Sequence, residues 1–288
     1  MIAWLATALA APEVIVLGVA QDGGHPQAGC TRACCARAWD DPSLAHHVAS
    51  LAIVDDGKAW LVDATPDLPA QVHALQQRGL TLAGILLTHG HMGHYTGLLH
   101  LGREVMGADH VPVWAMPRMT TLLKEEEPWA LLGRLGHVDV RALSDGVPVA
   151  LDEQVTVTPF LVPHRDELTE TVGFRIRGPK RTVVWLPDID KWERWDTPLT
   201  TLLEGVDLAW LDATFYADGE LSRPMSEVPH PFVVETMAAL ADRPDLKAKV
   251  RLVHLNHTNP ALDPSSEAAR TVTEAGLRVA REGDREPL

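Results

Sequence analysis

The chain lacks any apolar run near the roughly 20 residues needed to span a bilayer. Its hydrophobic residues, 46% of 288, are instead scattered along the sequence. No transmembrane helix is expected, and there is ample material for a core. Basic residues are in deficit, with 25 Lys+Arg against 39 Asp+Glu and a formal charge of -14. Such a surface repels phosphate backbones, so a nucleic-acid partner is not expected. Cysteine is scarce: the three residues are Cys30, Cys34 and Cys35, all in one loop. An odd number cannot all close internal disulfides. Internal repeats, low-complexity tracts and Gly/Ser-rich linkers are also missing. The expected organisation is a single domain over residues 13–288, preceded by an N-terminal extension or short signal segment at 1–12. The stretch Met1 to Ala11 is apolar, and Ala8-Leu9-Ala10 would suit signal cleavage, but no basic residues precede it. Both cytoplasmic and periplasmic or secreted locations stay open.

What the chain does have is regular punctuation by Pro and Gly between short apolar runs. Glu13 to Leu17 reads as a strand ending in Gln21-Asp22-Gly23-Gly24. Ser50 to Val54 and Ala59 to Val62 flank Asp55-Asp56-Gly57, which predicts a hairpin. Leu68 to Gln77 has helical periodicity, and Ile85 to Leu87 reads as a buried strand. A helix is predicted over 95–106. Strands are predicted at 111–115, 155–162, 173–176, 182–186, 208–211 and 250–255. Helices are predicted at 231–240 and 265–275. The strand–helix crossovers are too irregular for a doubly wound sheet. Two packed sheets with helices outside fit better.

The most informative stretch is His89-Gly90-His91-Met92-Gly93-His94. Three imidazoles in six residues, directly after an apolar strand, point to a metal site. The pattern extends along the chain. His164 follows the 155–162 strand, Asp188 follows 182–186, Asp212 ends 208–211, and His254 ends 250–253, with His257 shortly after. Strand ends on one sheet edge converge in space. Five of them carrying His or Asp suggest one shared site rather than five isolated core residues.

This order of elements resembles the metallo-β-lactamase superfamily, with its HxHx(D)H motif, lone His, Asp and final His. The resemblance runs from about Val14 to about Gly276. Within the superfamily the chain looks most like the group of the B protein of pyrroloquinoline-quinone (PQQ) biosynthesis. Val16-Leu17-Gly18, Gly23-Gly24 with Pro26, Tyr95-Thr96-Gly97-Leu98 and His254-Leu255-Asn256-His257-Thr258-Asn259-Pro260 carry that likeness. The resemblance implies an αββα four-layer sandwich: two mixed β-sheets with helices outside. It implies that His89, His91 and His164 hold a first metal ion. Asp188 would bridge to a second, completed by His94 and His254. The family places an Asp just before the last His of its first motif, where this chain has Gly93. That departure removes a ligand from the second site. The quinone-pathway protein departs differently, keeping the Asp and lacking the first two histidines.

The expected cofactor is zinc, one or two ions, with iron or manganese as alternatives. A cation on neutral imidazoles lowers the pKa of bound water from 15.7 to about 7. The function so implied is a metal-dependent hydrolase, acting through a metal-bound hydroxide on a small anionic or ester-like substrate. The alternatives are an iron-dependent oxygenase related to PQQ biosynthesis and a nonenzymatic small-molecule binder or carrier. The helix expected at Tyr95 would point its N-terminus at the site. His230, in Pro229-His230-Pro231, is the candidate proton donor, with Asp212 orienting it. That pair resembles the acidic and histidine motifs of the tRNA 3′-end-processing branch. The bland reading is a helix cap and a turn. Asp190 competes with Asp188 as ligand, and family register favours Asp188. His257 is a candidate to line the site. Arg165, Asp166 and Glu167 are candidates to orient the His164 ring, but a solvated turn is the favoured reading. Trp185, Trp192, Trp195 and Trp210 are read as core. The cysteine trio suggests a structural zinc with His25 as fourth ligand. A disulfide plus one thiol, or three plain thiols, remain the alternatives.

Overall fold

Short β-branched and apolar runs separated by Gly- and Asp-containing turns form fourteen strands in the computed structural model, which describes residues 11–288. The expected leader, apart from Ala11, lies outside the described residues. In chain order the strands are β1 (Glu13–Gly18), β2 (Ser50–Asp55), β3 (Lys58–Val62), β4 (Thr81–Leu86), β5 (Val111–Ala115), β6 (Val138–Ala142) and β7 (Val149–Ala150). They continue as β8 (Thr156–Leu161), β9 (Val172–Arg177), β10 (Thr182–Leu186), β11 (Leu208–Asp212), β12 (Val250–Val253), β13 (Arg278–Val279) and β14 (Arg285–Pro287). They make two seven-stranded sheets, ordered β14-β1-β2-β3-β4-β5-β6 and β13-β12-β11-β10-β9-β8-β7. Each sheet is mixed. β3 to β6 run parallel in the first, and β10 to β13 in the second.

One core fills the space between the sheets. Val16, Leu51, Ile53, Trp60 and Val62 from the first meet Val157, Phe174, Val183, Trp185 and Trp210 from the second. Helices Leu68–Gln76 and Pro117–Glu125 cover the outer face of the first sheet. Leu199–Glu204, Val233–Ala239 and Glu267–Glu274 lie against the second. The architecture is the four-layer αββα sandwich. Among the described residues, no helix is long and apolar enough to cross a membrane.

The expected hairpin forms between β2 and β3. Asp56 and Gly57 both take positive φ, 44° and 73°, as a tight two-residue turn demands. Gly18 marks a register shift between β1 and β2. A Cβ there would fall 2.7 Å from the Val48 carbonyl carbon, so the close approach requires glycine.

The helix expected over 95–106 is a correction. The chain makes one α-turn at Met92–Tyr95 and a 3-10 stretch at Thr96–Leu101, then leaves helical structure. Backbone groups that a helix would use internally bond the β3 loop instead: Gly97 N donates to Ala64 O at 2.9 Å, and Ala64 N donates to His94 O at 2.9 Å. Val105 and Met106 are consequently exposed. So short a turn aims no sizeable dipole at the site, contrary to expectation. Strands β6, β7, β13 and β14 were not anticipated. They are short, and mostly half-buried or exposed, so they carry little apolar pattern.

Candidate metal centre

Parallel strands of both sheets end on the same edge, and their following loops carry the ligand-type side chains. His89, His91 and His94 follow β4, His164 follows β8, Asp188 follows β10, and His254 follows β12. All six are buried. One ligand atom each from His89, His91, His164 and Asp188 lies within 4.8 Å of the others. A second such group is Asp22, His94, Asp188 and His254. Asp188 belongs to both. Its Oδ1 is 3.3 Å from His164 Nε2, and its Oδ2 is 3.3 Å from His89 Nε2 and 3.7 Å from His94 Nε2. Ligand atoms 2.0–2.2 Å from a tetrahedral zinc lie about 3.3–3.6 Å apart, so these spacings suit a shared cation.

The rings are oriented from behind, and the pattern repeats. Asp63 accepts from His94 Nδ1 at 2.7 Å. Thr88 Oγ1 donates to Asp63 at 3.0 Å, so its lone pair is left to accept from His89 Nδ1, also at 3.0 Å. On the other side, Asp212 accepts from His230 Nδ1 at 2.8 Å. Thr214 Oγ1 donates to Asp212 at 2.7 Å and accepts from His254 Nδ1 at 3.0 Å. Each carboxylate thus fixes one imidazole directly and a second through a threonine, and His89, His94 and His254 present Nε2 to the centre. His91 is turned the other way, with Nδ1 inward, 2.9 Å from His89 Nε2, and Nε2 facing Glu167 at 3.3 Å. Asp63 and His254 both adopt left-handed backbone, φ 69° and 65°, conformations that non-glycine residues hold where the surroundings force them.

The donor set fits a metal. His94 Nε2, His164 Nε2 and Asp188 Oδ1 are buried without a hydrogen-bond partner. Each orphan of this kind costs about 1–3 kcal/mol unless something binds it. One cation in each donor group, with Asp188 common to both, would satisfy all three. Burial, with the neighbouring His94, holds His89 well below its usual range, and burial likewise lowers His91, so both offer a lone pair. On His94 burial opposes charge, but Asp63 and Asp22 outweigh it and raise the ring well above 6.5. A cation taking Nε2 displaces that proton. For Asp188 and Asp22, burial is outweighed by surrounding imidazoles, and both stay carboxylates.

Asp190 is not in the centre. It stands behind His164, 3.3 Å from Nδ1, and is itself held by Arg194 at 2.9 Å. His230 and Asp212 do come to the centre. His230 Nδ1 is 3.2 Å from Asp188 Oδ1 as well as bonded to Asp212. Burial opposes its charge, but Asp212 and Asp188 together raise it to about 9. Glu167 departs from the solvated-turn reading by reaching His91. Trp185 and Trp210 pack in the core as expected, ring centroids 6.2 Å apart.

The cysteine cluster needs two corrections. His25 does not join it: the His25 ring bonds the backbone carbonyls of Leu44 and Cys34 at 3.2 and 2.8 Å. His257 does not line the main centre. Its Nδ1 lies 3.5 Å from Cys34 Sγ and 3.4 Å from Cys35 Sγ, and Cys30 Sγ is 3.7 Å from Cys34 Sγ. Four donors, Cys30, Cys34, Cys35 and His257, gather there. The sulfurs are too far apart for a disulfide and suit neighbouring ligands of one tetrahedral ion. The sequence could not pair His257 with these cysteines, because the contact is made across more than 200 residues. It depends on Gln21 N donating to Leu255 O and Leu255 N donating to Val19 O, each at 2.9 Å. Asp22 and Asp63 were also missed. Asp63 directly follows β3, so it is one more strand end bearing a carboxylate.

A family model described as the β-lactamase superfamily domain matches residues 59–282. Coenzyme PQQ synthesis protein B of Gluconacetobacter diazotrophicus is 31% identical, over 95% of this chain and 98% of its own. The same protein from Xanthomonas campestris pv. campestris is 30% identical over 94% and 98%. Zn(2+)-bound PqqB from Methylobacterium extorquens superposes with a TM-score of 0.81 at 22% identity, covering 96% of this chain and all of that one. A diphosphatase from the PhnP family gives 0.69 at 24%, covering 97% and 98%.

Proposed function

The chain belongs to the β-lactamase superfamily, among relatives of the coenzyme PQQ synthesis B proteins, and from that membership we propose a metal-dependent hydrolase of small anionic or ester-like substrates. The observation that carries the reading is the set of buried, partnerless donor atoms converging from separate strand ends. His89, His91, His164 and Asp188 would hold one ion, and Asp188, His94 and His254 would contribute to a second. Zinc fits this donor set, and the solved relative is described as zinc-bound. When bound, such an ion supplies charge that polarises a substrate oxygen and acidifies a coordinated water from 15.7 to about 7.

The chain's own groups supply the rest. Asp212 holds the Nδ1–H of His230, so Nε2 on the far side of the ring is the atom that passes a proton to the leaving group. In the balanced reaction, water oxygen bonds to the carbonyl carbon or phosphorus, the ester bond breaks, the departing oxygen or sulfur takes the His230 proton, and the proton that the water gives up restores His230. A cleft of about 530 Å³ opens beside Glu167, the residue that faces His91, and is lined by Tyr95, Arg118, Glu126, Glu127, Trp129 and Leu168. It is of small-molecule size, and its carboxylates outnumber its one guanidinium. The second cluster, Cys30, Cys34, Cys35 and His257, would hold a structural zinc remote from turnover.

The names of the relatives favour one further reading, a role in PQQ synthesis, for which the alternative chemistry is an iron-dependent oxygenase at the same centre. Metal identity separates the two. Protein purified without added metal is analysed for zinc and iron, then assayed on phosphodiester, lactone and thioester probes. The hydrolase reading expects zinc, turnover independent of oxygen, and loss of both ion and turnover in His89→Ala and His164→Ala. Iron with oxygen consumption would replace it. Full metal retained in both variants would refute the site.

A further inference from the structure

The family motif places a carboxylate immediately before its last histidine, and this chain has Gly93 there. We propose that Asp22, carried in from the loop after β1, supplies that missing carboxylate and completes the second metal site. The inference rests on the reading that the centre binds divalent metal.

Three observations converge on it. Asp22 Oδ1 lies 3.0 Å from His94 Nε2 and 3.4 Å from His254 Nε2, and it groups with both of these and Asp188. The histidine atoms it meets are those facing the centre, because Asp63 and Thr214 occupy the opposite nitrogens. The space is also that of the missing side chain. A Cβ on Gly93 would fall 2.5 Å from Asp22 Cα and 2.8 Å from Asp22 Cβ, so no side chain at 93 can coexist with Asp22 in this position. The glycine is therefore the opening through which a carboxylate from another part of the chain enters the site, and the departure from the motif leaves the ligand count intact.

The pairing of the loops makes this possible. Ala20 bridges Leu255, and the hydrogen bonds of Gln21 N and Leu255 N lock the β1 loop to the β12 loop. His254 and Asp22 are thereby brought side by side, although 232 residues separate them. Gly24, at φ 67°, then turns the chain away.

The test uses the full chain, stripped with chelator and titrated with Mn(II). This hard ion prefers the imidazole and carboxylate donors over the thiolates of the cysteine cluster. Binding is counted by elemental analysis, and spin coupling is read by electron paramagnetic resonance. The wild type is expected to take two coupled ions. Asp22→Asn, nearly isosteric, is expected to weaken the second ion about 100-fold and leave a single uncoupled Mn(II). Retention of the first ion excludes general misfolding. Gly93→Asp is expected to disrupt the site, because its Cβ would meet the backbone as well as the side chain of Asp22. Two coupled ions of unchanged affinity in Asp22→Asn would overturn the assignment while leaving the metal centre standing. No ion in the wild type would overturn both this inference and the metal-dependent reading beneath it.

Discussion

The two clusters of metal-type donors are built on opposite plans. At the His/Asp centre nearly every ring is held by an oxygen behind it: His89 by Thr88, His94 by Asp63, His230 by Asp212, His254 by Thr214. At the cysteine cluster the donors mostly face one another. Exceptions are the backbone N–H of Gln27, 3.4 Å from Cys35 Sγ, and Arg32, which bonds Cys30. Burial pushes the Cys35 thiol up to about 12, so without an ion it stays protonated and repels no one. One centre is preorganised by buried protein groups, and the other would rely on an ion to organise its loop. Yet both hang from the same loop pairing, Gln21 with Leu255, which sets Asp22 against His254 and the cysteines against His257. The lesson is that positioning and holding are separate tasks. Strand ends do the first at the centre, and a cation would do both at the cluster.

That contrast makes Cys34→Ser the most disruptive change to stability. An ion at 1,000 times its dissociation constant stabilises the folded state by about 4 kcal/mol. For a chain of this size the melting temperature should fall by about 8–16 °C. Differential scanning calorimetry in excess zinc checks this, with one fewer zinc per chain by elemental analysis. Turnover at saturating substrate should stay within a few-fold. If melting is unchanged while turnover collapses, the roles of the two clusters have been exchanged.

The next test divides the backing oxygens of the centre. Asp212→Asn removes the charge that holds His230, and kcat should fall about 100-fold, the lower end of a lost proton donor. Thr214→Val cuts the link from Asp212 to His254 and a 3.2 Å contact to His230 Nδ1, but leaves the Asp212 carboxylate on that ring. It should weaken ion binding about 10-fold and spare kcat once metal is saturating. Steady-state kinetics over a metal titration distinguishes them. Equal effects from both changes would mean that the carboxylate acts only through the ligand.

The sequence made the strands, the layers and most of the centre legible, because periodicity marks buried strands and strand ends on one edge must meet. His89, His91, His94, His164, Asp188 and His254 were all found that way. Asp22, and the exchange of His25 for His257, were not legible. They depend on a pairing between loops at the two ends of the chain, and nothing in local spacing encodes it. His25 looked right only because it was near in sequence, whereas its ring is spent on two carbonyls. The 95–106 helix failed for a related reason, since hydrogen bonds to the β3 loop competed with the helical ladder.

A brace lying outside both clusters sets the scale of an ordinary contact. Glu282 accepts from His47 N at 2.7 Å and from His47 Nδ1 at 2.8 Å, and the carbonyl of His47 in turn accepts from Val19 N and Ala20 N at the root of the shared loop. Burial opposes the Glu282 charge, but His46 and His47 outweigh it and lower the carboxyl from 4.5 to about 2. A depressed folded pKa means the stabilisation is full above about pH 4.5 and lost as pH falls towards 2. His47 is raised by Glu282 against burial, so its share is present below 6.5 and lost as pH rises through its folded value. Solvent screens this pair, so about 1 kcal/mol is expected, or about 2–4 °C in melting temperature. In chelator-treated protein, where ion release cannot contribute, Glu282→Gln should therefore lower melting most between about pH 4.5 and 6.5 and converge with the wild type near pH 2. A gap that persists at pH 2 would assign the brace to the neutral hydrogen bond from His47 N. A gap as large as that of Cys34→Ser would mean the loop pairing is held by this ion pair and needs no cation to secure it.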